Sequence, residues 1–248
     1  MNIVAPQEQF ESLAEEYEHM VTLPFRRQIE IPAVMESLGE MAGMHVLDFG
    51  CGAGHYARLL RKHGAARVVG YDAAGGMLDH ARRREQQEQL GIEYCASLPE
   101  AFDGQFDLVL GVYVLPYATS RAKLADMTDA MARLLKPGGR LLTLPIHPRY
   151  ALPENYYAPY GFSLSSEQPH ADGAEVHLHL PSATALIDIT AWYWSAPTLE
   201  QALRQSGFDN ITWTDPLPAG ALANPQAELQ AYLEKPHTIL INCRYAPN

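Results

Sequence analysis

An alternating set of glycines is the part of the chain best suited to chemistry. A short apolar run at residues 46–49 has the length and composition of a buried parallel strand, and it ends in Gly50, Gly52 and Gly54. Helix-forming residues follow over residues 53–62. A strand, a glycine turn and a helix N-terminus together predict a place where the backbone can approach a ligand closely.

Asp48 helps to decide which ligand such a turn could hold. It lies two residues before the first glycine, where the pyrophosphate of a dinucleotide would have to lie, and His55 occupies the position of the third glycine in the dinucleotide fingerprint. A carboxylate repels phosphate but suits a ligand that carries an ammonium and a sulfonium. The pattern favours S-adenosylmethionine over NAD. An ordinary strand-to-helix turn without a ligand stays open as the alternative.

A second acid follows the next predicted strand. Val68 and Val69 lead into Tyr71 and Asp72, so this strand ends in an acid about 20 residues after the glycines. At that spacing an acid can accept hydrogen bonds from both ribose hydroxyls of a nucleoside. The same carboxylate could instead cap the helix that follows, and the two roles are compatible.

Composition excludes several classes of protein. The chain has 248 residues and a formal net charge of −11, so it could form one large α/β domain or a domain with an insertion. Binding nucleic acid takes clustered Lys and Arg, which the acidic balance argues against. Cys51, Cys95 and Cys243 show no metal spacing, which predicts no metal site and a reduced, cytoplasmic setting. No secretory signal or membrane span is predicted.

Strands and helices alternate along much of the chain, which predicts a parallel, doubly wound α/β sheet. After the first two strands, further strands are predicted at 91–95, 106–110, 140–146, 208–214 and 238–245. A tight turn is predicted at 136–139, directly before the fifth strand. The last two strands could form an antiparallel pair.

The N-terminal segment is predicted to be a helical lid that comprises residues 1–40. Apolar residues recur at helical spacing over residues 10–21, and a second helix is predicted at 33–38, after Pro32. Such a segment must pack on something, and the open carboxyl edge of a parallel sheet is where a lid would matter.

Residues 147–197 are predicted to form a β-rich, substrate-binding insertion, because they lack a helical period and are too aromatic to stay unfolded. The sheet domain would then comprise residues 41–146 and 198–248. Thr198 and Gln201 form a capping-box pattern that predicts the start of a helix directly after the insertion.

The sequence resembles the class I S-adenosylmethionine-dependent methyltransferases over nearly its whole length. The motifs that carry this resemblance are residues 46–54, 69–72, 106–109 and 134–140. More narrowly, the chain resembles a bacterial group described as toxoflavin-synthase-like, whose members are similar to an enzyme that N-methylates an azapteridine-type heterocycle. The segments that carry the narrower resemblance are residues 10–17, 24–26, 113–118 and 206–208.

The resemblance implies a mostly parallel, seven-stranded, Rossmann-like sheet and S-adenosyl-L-methionine as cofactor, with S-adenosyl-L-homocysteine as product. Asp48 would lie near the cofactor's amino group, Asp72 would hold the ribose hydroxyls, and Arg26 would pair with the cofactor's carboxylate. The other cofactor contacts implied by the resemblance are Tyr17, Gly50, Cys51, Gly52, Gly54, Ala73, Met77, Ser97, Leu98 and Gly111. Many relatives place an Asp in the adenine loop, whereas this chain offers only Ser97 or backbone there.

Methyl transfer does not force any catalytic residue, because the sulfonium already activates the methyl carbon and alignment supplies much of the acceleration. Candidates at the carboxyl ends of strands are Tyr113, Tyr117 and His147. His147 could take a proton at neutral pH or could be an ordinary loop histidine. His177 and His179 share one strand face but lack a third ligand at convincing spacing, so no metal is predicted there.

Aromatic residues suggest the class of methyl acceptor, unless they are ordinary core. The predicted acceptor contacts are Phe25, Tyr117, His147, Tyr156, Tyr157, Trp192 and Trp194. Such a pocket suits a small heteroaromatic metabolite of secondary metabolism, methylated at nitrogen or oxygen by a monomer or homodimer with no nucleic-acid or membrane partner. Two other classes stay open: a non-catalytic S-adenosylmethionine-binding protein and a Rossmann-type NAD-dependent oxidoreductase.

Overall fold

The computed structural model describes residues 10–11, 13–181, 186–217 and 227–247. Its strands are β1 (His45–Phe49), β2 (Arg67–Tyr71), β3 (Glu93–Cys95), β4 (Phe106–Val112), β5 (Leu135–Leu144), β6 (Ser163–Ser165), β7 (Glu175–Pro181), β8 (Leu186–Trp192), β9 (Phe208–Thr214) and β10 (Leu240–Tyr245). Its α-helices are α1 (Ala14–Met20), α2 (Ile31–Leu38), α3 (His55–Lys62), α4 (Gly75–Glu88), α5 (Arg121–Leu134), α6 (Ala196–Gln205) and α7 (Gln230–Glu234).

A mostly parallel, seven-stranded sheet organises the chain, which confirms the predicted fold class. The strand order is β3-β2-β1-β4-β5-β10-β9. Strands β1 to β5 run parallel, and β10 is antiparallel to both β5 and β9, as the sequence predicted for the last two strands. The order reverses between β1 and β4, and ligands of doubly wound sheets bind at the carboxyl ends of strands beside such a switch point.

Helices cover both faces of this sheet. Neighbouring residues of a strand point to opposite faces. Accordingly, Val46 packs with residues of α2 and α3, whereas Leu47 packs with residues of α5 and α6. Both side chains are fully buried. Burial on two faces explains why the central strands are continuous apolar runs.

A π-helical turn, Arg26–Glu30, leads directly into α2, and the Ile31 N–H donates to the Arg26 carbonyl five residues earlier. Pro32 has no N–H for an α-helical bond and its ring crowds the carbonyl four residues before it, so the helix widens at this point. The prediction of a separate helix that starts at residue 33 was wrong at its first turn, because α2 starts at Ile31 and continues the π turn.

The helix α2 belongs to the sheet domain by its packing. Val34 and Leu38 are buried in the core cluster on one face of the sheet, and Arg140 Nη2 donates to the Leu38 carbonyl at 2.6 Å. The part of the N-terminal segment that stands over the sheet edge therefore ends near Glu30.

The predicted turn at residues 136–139 lies inside β5 as a bulge. Phe106 pairs with Leu135, but Leu108, two residues further along β4, already pairs with Arg140. The intervening residues of β5 loop out of the ladder, which the prediction of an isolated turn before the strand missed.

The helix α6 begins two residues before the predicted capping box. Ser195 is its N-cap residue, and Thr198 lies in its first turn. Asp172 replaces the predicted cap: its carboxylate accepts hydrogen bonds from the Ser195 N–H at 2.6 Å and from the Thr198 hydroxyl at 2.5 Å.

Strands β6, β7 and β8 form a separate antiparallel sheet, which confirms the β-rich insertion. Buried side chains of this sheet, such as Val176 and Ile189, share one core cluster with Phe25 and Ile29 of the N-terminal segment. The small sheet and the N-terminal segment therefore pack against each other. Within the described ranges, no helix has both the length and the apolar character that crossing a membrane requires.

Candidate active site

A cavity of about 460 Å³, here called the main cavity, opens at the carboxyl ends of β1, β2 and β4. Residues 48–53, 71–73 and 112–114 line it, so three segments far apart in the sequence meet at one sheet edge. Further lining residues come from the N-terminal segment, from α3, α4 and α5, and from the residues just before α5: Phe10, Tyr17, Glu18, Val21, Arg26, His55, Tyr56, Met77, Tyr117, Thr119, Lys123 and Met127.

The glycine loop forms one wall of the main cavity. Gly50 has φ +72°, and a Cβ built there would lie 2.6 Å from Val114 Cγ2, so the loop admits only glycine at this point. Gly52 differs, because the nearest atom to a Cβ there is Met77 Sδ at 4.0 Å. The space beside Gly52 is therefore open to a ligand.

Asp48 lines this cavity and has one unpaired carboxylate oxygen. The residue is 2% exposed, and within the described ranges its Oδ2 has no hydrogen-bond partner. Burial raises the pKa of Asp48 to about 7, against the opposing effect of Arg58. An unpaired buried carboxylate oxygen is costly unless a ligand satisfies it. The orphaned oxygen therefore fits the ammonium group of S-adenosylmethionine.

His55 adds a second orphaned atom to the same wall. Its Nε2 is buried and has no hydrogen-bond partner among the residues described. Burial, with Arg26 and Arg58 nearby, lowers the pKa of His55 to about 4. The imidazole is therefore neutral at physiological pH and adds no positive charge beside Asp48.

Asp72 links the second strand to the glycine loop. Its Oδ2 accepts a hydrogen bond from the Gly52 N–H at 2.7 Å, and its Oδ1 accepts one from the Ala74 N–H at 2.8 Å, directly before α4. Burial raises the pKa of Asp72. A carboxylate offers about four acceptor sites, so acceptor capacity remains for a hydroxyl donor of a ligand. The capping role and a ribose-binding role are thus compatible in this geometry.

Carboxylates of the N-terminal segment attach it to α3 and α4. Glu18 accepts a hydrogen bond from Arg58 Nη2 at 2.9 Å. Glu11 accepts hydrogen bonds from the Gly75 and Gly76 N–H groups at 3.0 and 2.7 Å, at the N-terminus of α4. These polar contacts add to the apolar packing of the segment in holding it over the main cavity.

Behind the main cavity lies a buried polar network centred on Glu30, which is fully buried. Glu30 Oε1 accepts hydrogen bonds from Arg26 Nε at 2.9 Å and from the Tyr56 hydroxyl at 3.1 Å. Glu30 Oε2 accepts a hydrogen bond from the Tyr113 hydroxyl. Tyr113 follows β4 and has φ +57°, a strained conformation for a non-glycine residue that is often found at functional sites.

An apolar chamber of about 70 Å³, here called the chamber, adjoins the main cavity between the N-terminal segment and the small sheet. Four residues line both spaces and form the partition between them: Tyr17, Arg26, Tyr113 and Tyr117. The remaining chamber wall is mainly aliphatic and aromatic: Met20, Leu23, Phe25, Pro116, Ile146, Phe162, Leu164, Val176, Leu178, Leu180, Ile189, Ala191 and His237.

Most residues assigned to the cofactor line the main cavity, but four do not. Gly111 lies inside β4, where it packs against Met131 and accepts a hydrogen bond from the Thr143 hydroxyl. Gly54 is the N-cap of α3 and faces the Tyr94 ring. Ser97 is exposed and Leu98 packs against the core beside α5, so neither reaches the cavity wall. These four residues therefore lie outside the wall of the main cavity, and their contact with the cofactor stays a prediction.

The structure keeps five of the assigned acceptor residues away from both spaces. His147 uses both ring nitrogens: Nδ1 accepts from the Arg149 N–H and Nε2 bonds Asp215 Oδ1 at 3.1 Å, which removes it as a free base. The other four contact protein groups. Tyr156 and Tyr157 donate to the Ala231 and Lys235 carbonyls. Trp194 donates to the Ala118 carbonyl, and Trp192 packs on the main core. Only Phe25 and Tyr117 of the assigned set line the chamber.

Sequence reasoning missed several residues that the structure brings to the site. Glu30 carried a signal, because it is a charged residue between Ile29 and Ile31 and lies four residues after Arg26. His237 carried none, since nothing local marks it as buried beside Tyr113.

The histidine pair of the small sheet has partners within that sheet. His177 bonds Thr190, and His179 bonds Asp188. No cluster with metal-ligand composition occurs in the part of the chain that is described.

Comparison with known proteins agrees with this geometry. A family model described as a methyltransferase domain matches residues 46–139. The ubiquinone biosynthesis O-methyltransferase of Acinetobacter baylyi is 30% identical over 225 residues, which cover 79% of this chain and 92% of that protein. The chain belongs to the class I S-adenosylmethionine-dependent methyltransferases.

Two further comparisons extend the match beyond the motifs. A demethylmenaquinone methyltransferase of Tropheryma whipplei is 34% identical over 189 residues, which cover 73% of either protein. The crystal structure of an S-adenosylmethionine-dependent methyltransferase from Mesorhizobium loti shares the fold, with a TM-score of 0.63 at 23% identity over 91% of this chain and 99% of that one. This methyltransferase is accordingly an enzyme with S-adenosylmethionine as its cofactor.

Proposed function

We propose that this methyltransferase methylates a nitrogen or oxygen of a small heteroaromatic metabolite. The observation that carries the proposal is the partition, because Tyr17, Arg26, Tyr113 and Tyr117 each line both the main cavity and the chamber. A cofactor in the main cavity and an acceptor in the chamber would meet at these four side chains.

The cofactor roles are assigned to residues of the main cavity. Asp48 would accept from the amino group, Asp72 from the ribose hydroxyls, and Arg26 would face the carboxylate, with the glycine loop beneath. When bound, S-adenosylmethionine supplies an electrophilic methyl carbon on a sulfonium. The task of the chain is then to orient the acceptor in line, which corresponds to effective molarities of about 10⁵ M or more.

The chamber suits the apolar part of a flat ring. Val176 and Ile189 of the small sheet and Phe25 of the N-terminal segment supply much of its wall. Its volume of about 70 Å³ is well below the roughly 150 Å³ of a dry cavity that admits benzene. Acceptor entry would therefore need the N-terminal segment to move outward. Of the predicted lid at 1–40, this role would fall to residues 10–30, while the insertion at 147–197 would supply the opposite wall.

Three considerations support a small ring rather than a macromolecule. The two relatives that match over most of the chain are named for ubiquinone biosynthesis and for demethylmenaquinone, both of which contain small rings. The narrower resemblance points to an azapteridine-type heterocycle in secondary metabolism. The net charge of −11 disfavours RNA or DNA. A cytoplasmic location and a monomeric or homodimeric state stay predictions.

The test is transfer of tritiated methyl groups from S-adenosylmethionine to a panel of phenols, pteridines and purines, alongside RNA and peptides. Labelling confined to the macromolecules would contradict the proposal. Ile189→Phe fills the chamber and should raise the acceptor's KM about tenfold or more, while cofactor affinity measured by calorimetry stays unchanged. Ile187→Phe is the matched control, because Ile187 lies on the same strand but does not line the chamber.

A further inference from the structure

The hydrogen bonds around Glu30 have only one consistent direction. Glu30 is an acceptor, so Tyr113 must donate its hydroxyl proton to it. Tyr113 Oη also lies 3.0 Å from His237 Nε2, and that nitrogen must therefore carry the proton and donate. His237 Nδ1 then accepts from the Tyr232 hydroxyl at 2.8 Å. The chain of hydrogen bonds runs from Tyr232 through His237 and Tyr113 and ends at Glu30.

Tyr113 is the member of this chain of bonds that lies in the partition. Its side chain lines both the main cavity and the chamber, whereas Glu30 lines neither. The ring of Tyr113 is fixed by its stack on His237, with centroids 5.7 Å apart, and by the Arg26 guanidinium over its face at 5.7 Å. With one proton given to Glu30 and one accepted from His237, the Tyr113 oxygen keeps a lone pair for a hydroxyl on the acceptor.

We propose that Tyr113 and Glu30 form a proton path that takes the proton of a ring hydroxyl on the methyl acceptor. This inference rests on the proposed function and deepens it, because it assigns the reacting atom to a hydroxyl oxygen. Tyr113 is then the catalytic residue that touches the acceptor, and Glu30 is a positioning residue and proton sink that acts through it.

The step balances in atoms and charge. The acceptor oxygen forms a bond to the methyl carbon while the carbon–sulfur bond breaks, and that electron pair stays on sulfur. The acceptor's proton passes to the Tyr113 oxygen as the proton of Tyr113 passes to Glu30. Glu30 ends as a neutral acid beside Arg26, and it returns the proton to water when the N-terminal segment moves away.

The groups that face Glu30 suit this role. Arg26 and Tyr56 bond its other oxygen, so this fully buried carboxylate has an ion-pair partner and a second hydrogen-bond donor besides Tyr113. Burial and Arg26 lower the pKa of His237 to about 3, so this imidazole is neutral and does not compete for the proton. Burial, followed by the charge of Glu30, raises the pKa of Tyr113, which keeps its own proton in place until the acceptor supplies another.

The test compares two acceptors at a pH where 4-nitrophenol is ionised and 4-methylphenol is not. A proton path matters only for the acceptor that arrives protonated. Tyr113→Phe and Glu30→Gln should lower kcat for 4-methylphenol by about 10²–10⁴-fold and change kcat for 4-nitrophenol by less than about threefold. A solvent deuterium isotope effect should accompany the first acceptor only.

Tyr232→Phe is the matched control, because it removes a hydroxyl from the same buried network on the far side of His237. It should leave kcat for both phenols within about threefold of wild type. Retained turnover of 4-nitrophenol shows that a variant is folded. Equal losses with both phenols, or a wild-type enzyme that methylates ring nitrogens in the panel but neither phenol, would overturn the proton path and leave the proposed function standing.

Discussion

Asp48 couples cofactor binding to pH, because its pKa is raised to about 7 by burial and a bound ammonium would lower it again. We expect affinity for S-adenosylmethionine to weaken as pH falls below about 7, by up to about tenfold per pH unit. The folding stability of the ligand-free protein should change with pH in the opposite direction, because Asp48 titrates near 4 in the unfolded chain. Stability from this group is present below about pH 4 and is lost as pH rises through about 7.

The measurement is titration calorimetry with S-adenosylmethionine between about pH 5 and 8, together with urea denaturation of the free protein. Asp48→Asn should remove both pH dependences and weaken binding at the upper end of this range by about 10–100-fold, the scale of a lost charge-assisted hydrogen bond. An unchanged slope in the variant would show that another group titrates.

Substitutions at Gly52 and Gly138 distinguish the loss of space for a ligand from the effect of backbone strain. Both have positive φ, +52° and +79°, but Gly52 borders the main cavity whereas nothing lies within 4 Å of a Cβ at Gly138. Gly52→Val and Gly138→Val should each cost about 1–3 kcal/mol of unfolding free energy through strain. Only Gly52→Val should abolish binding of S-adenosylmethionine in calorimetry. Full affinity in that variant would place the cofactor elsewhere.

At the level of elements, we expect the ion pairs of Glu18 in α1, to Arg58 of α3 and to Arg84 of α4, to slow opening of the N-terminal segment. Glu18 is 28% exposed at its side chain and pairs with Arg58, so the pair is accessible to salt. Glu18→Gln should speed release of S-adenosylmethionine by about 3–10-fold, and added salt should do the same to the wild type. Stopped-flow fluorescence measures this rate.

The matched control is Glu93→Gln, which breaks an exposed pair with Arg67 at 3.0 Å between the first residues of β3 and β2, at the opposite ends of these strands from the main cavity. It should leave the release rate unchanged. If both substitutions act alike, general electrostatics and not the attachment of the N-terminal segment sets the rate.

The sheet and its helices could be predicted because their signals are local. Apolar runs, glycine turns and terminating acids each lie within a few residues. What the aromatic side chains of the insertion pack against could not be predicted in this way. Trp192 and Trp194 pack on the main core, whereas Tyr193 between them packs in the cluster that the small sheet shares with the N-terminal segment. What covers a strand face depends on segments distant in sequence, which alternation alone does not reveal.

The same reasoning explains why the buried partners of Tyr113, which was itself a candidate, were missed. Asp48 and Asp72 stand at the ends of predictable strands, so the sequence pointed to them. Glu30, Tyr113 and His237 meet only after three remote segments have packed together. The π turn that aims Arg26 and Glu30 at one another also had no local pattern beyond Pro32.

The whole molecule should report its cofactor through thermal stability. A ligand that binds only the folded state at a hundred times its Kd adds about 2.7 kcal/mol. For a chain of this size that corresponds to a rise in Tm of about 5–11 °C. S-adenosylmethionine and S-adenosylhomocysteine should both produce such a rise in differential scanning fluorimetry, whereas NAD should produce none because Asp48 repels its pyrophosphate. A rise with NAD alone would reverse the choice of cofactor.

The network around Glu30 also bears on the order in which parts of the molecule can fold. Tyr113 lies 83 residues from Glu30 and 124 from His237 along the chain, and β10 must be inserted between β5 and β9. Contacts of such high sequence separation form late in folding. During synthesis the glycine loop and its neighbouring strands can assemble while the segment around residue 237 is still inside the ribosome. A nascent chain can thus acquire a nucleotide-sized cleft well before it acquires any competence to turn over an acceptor.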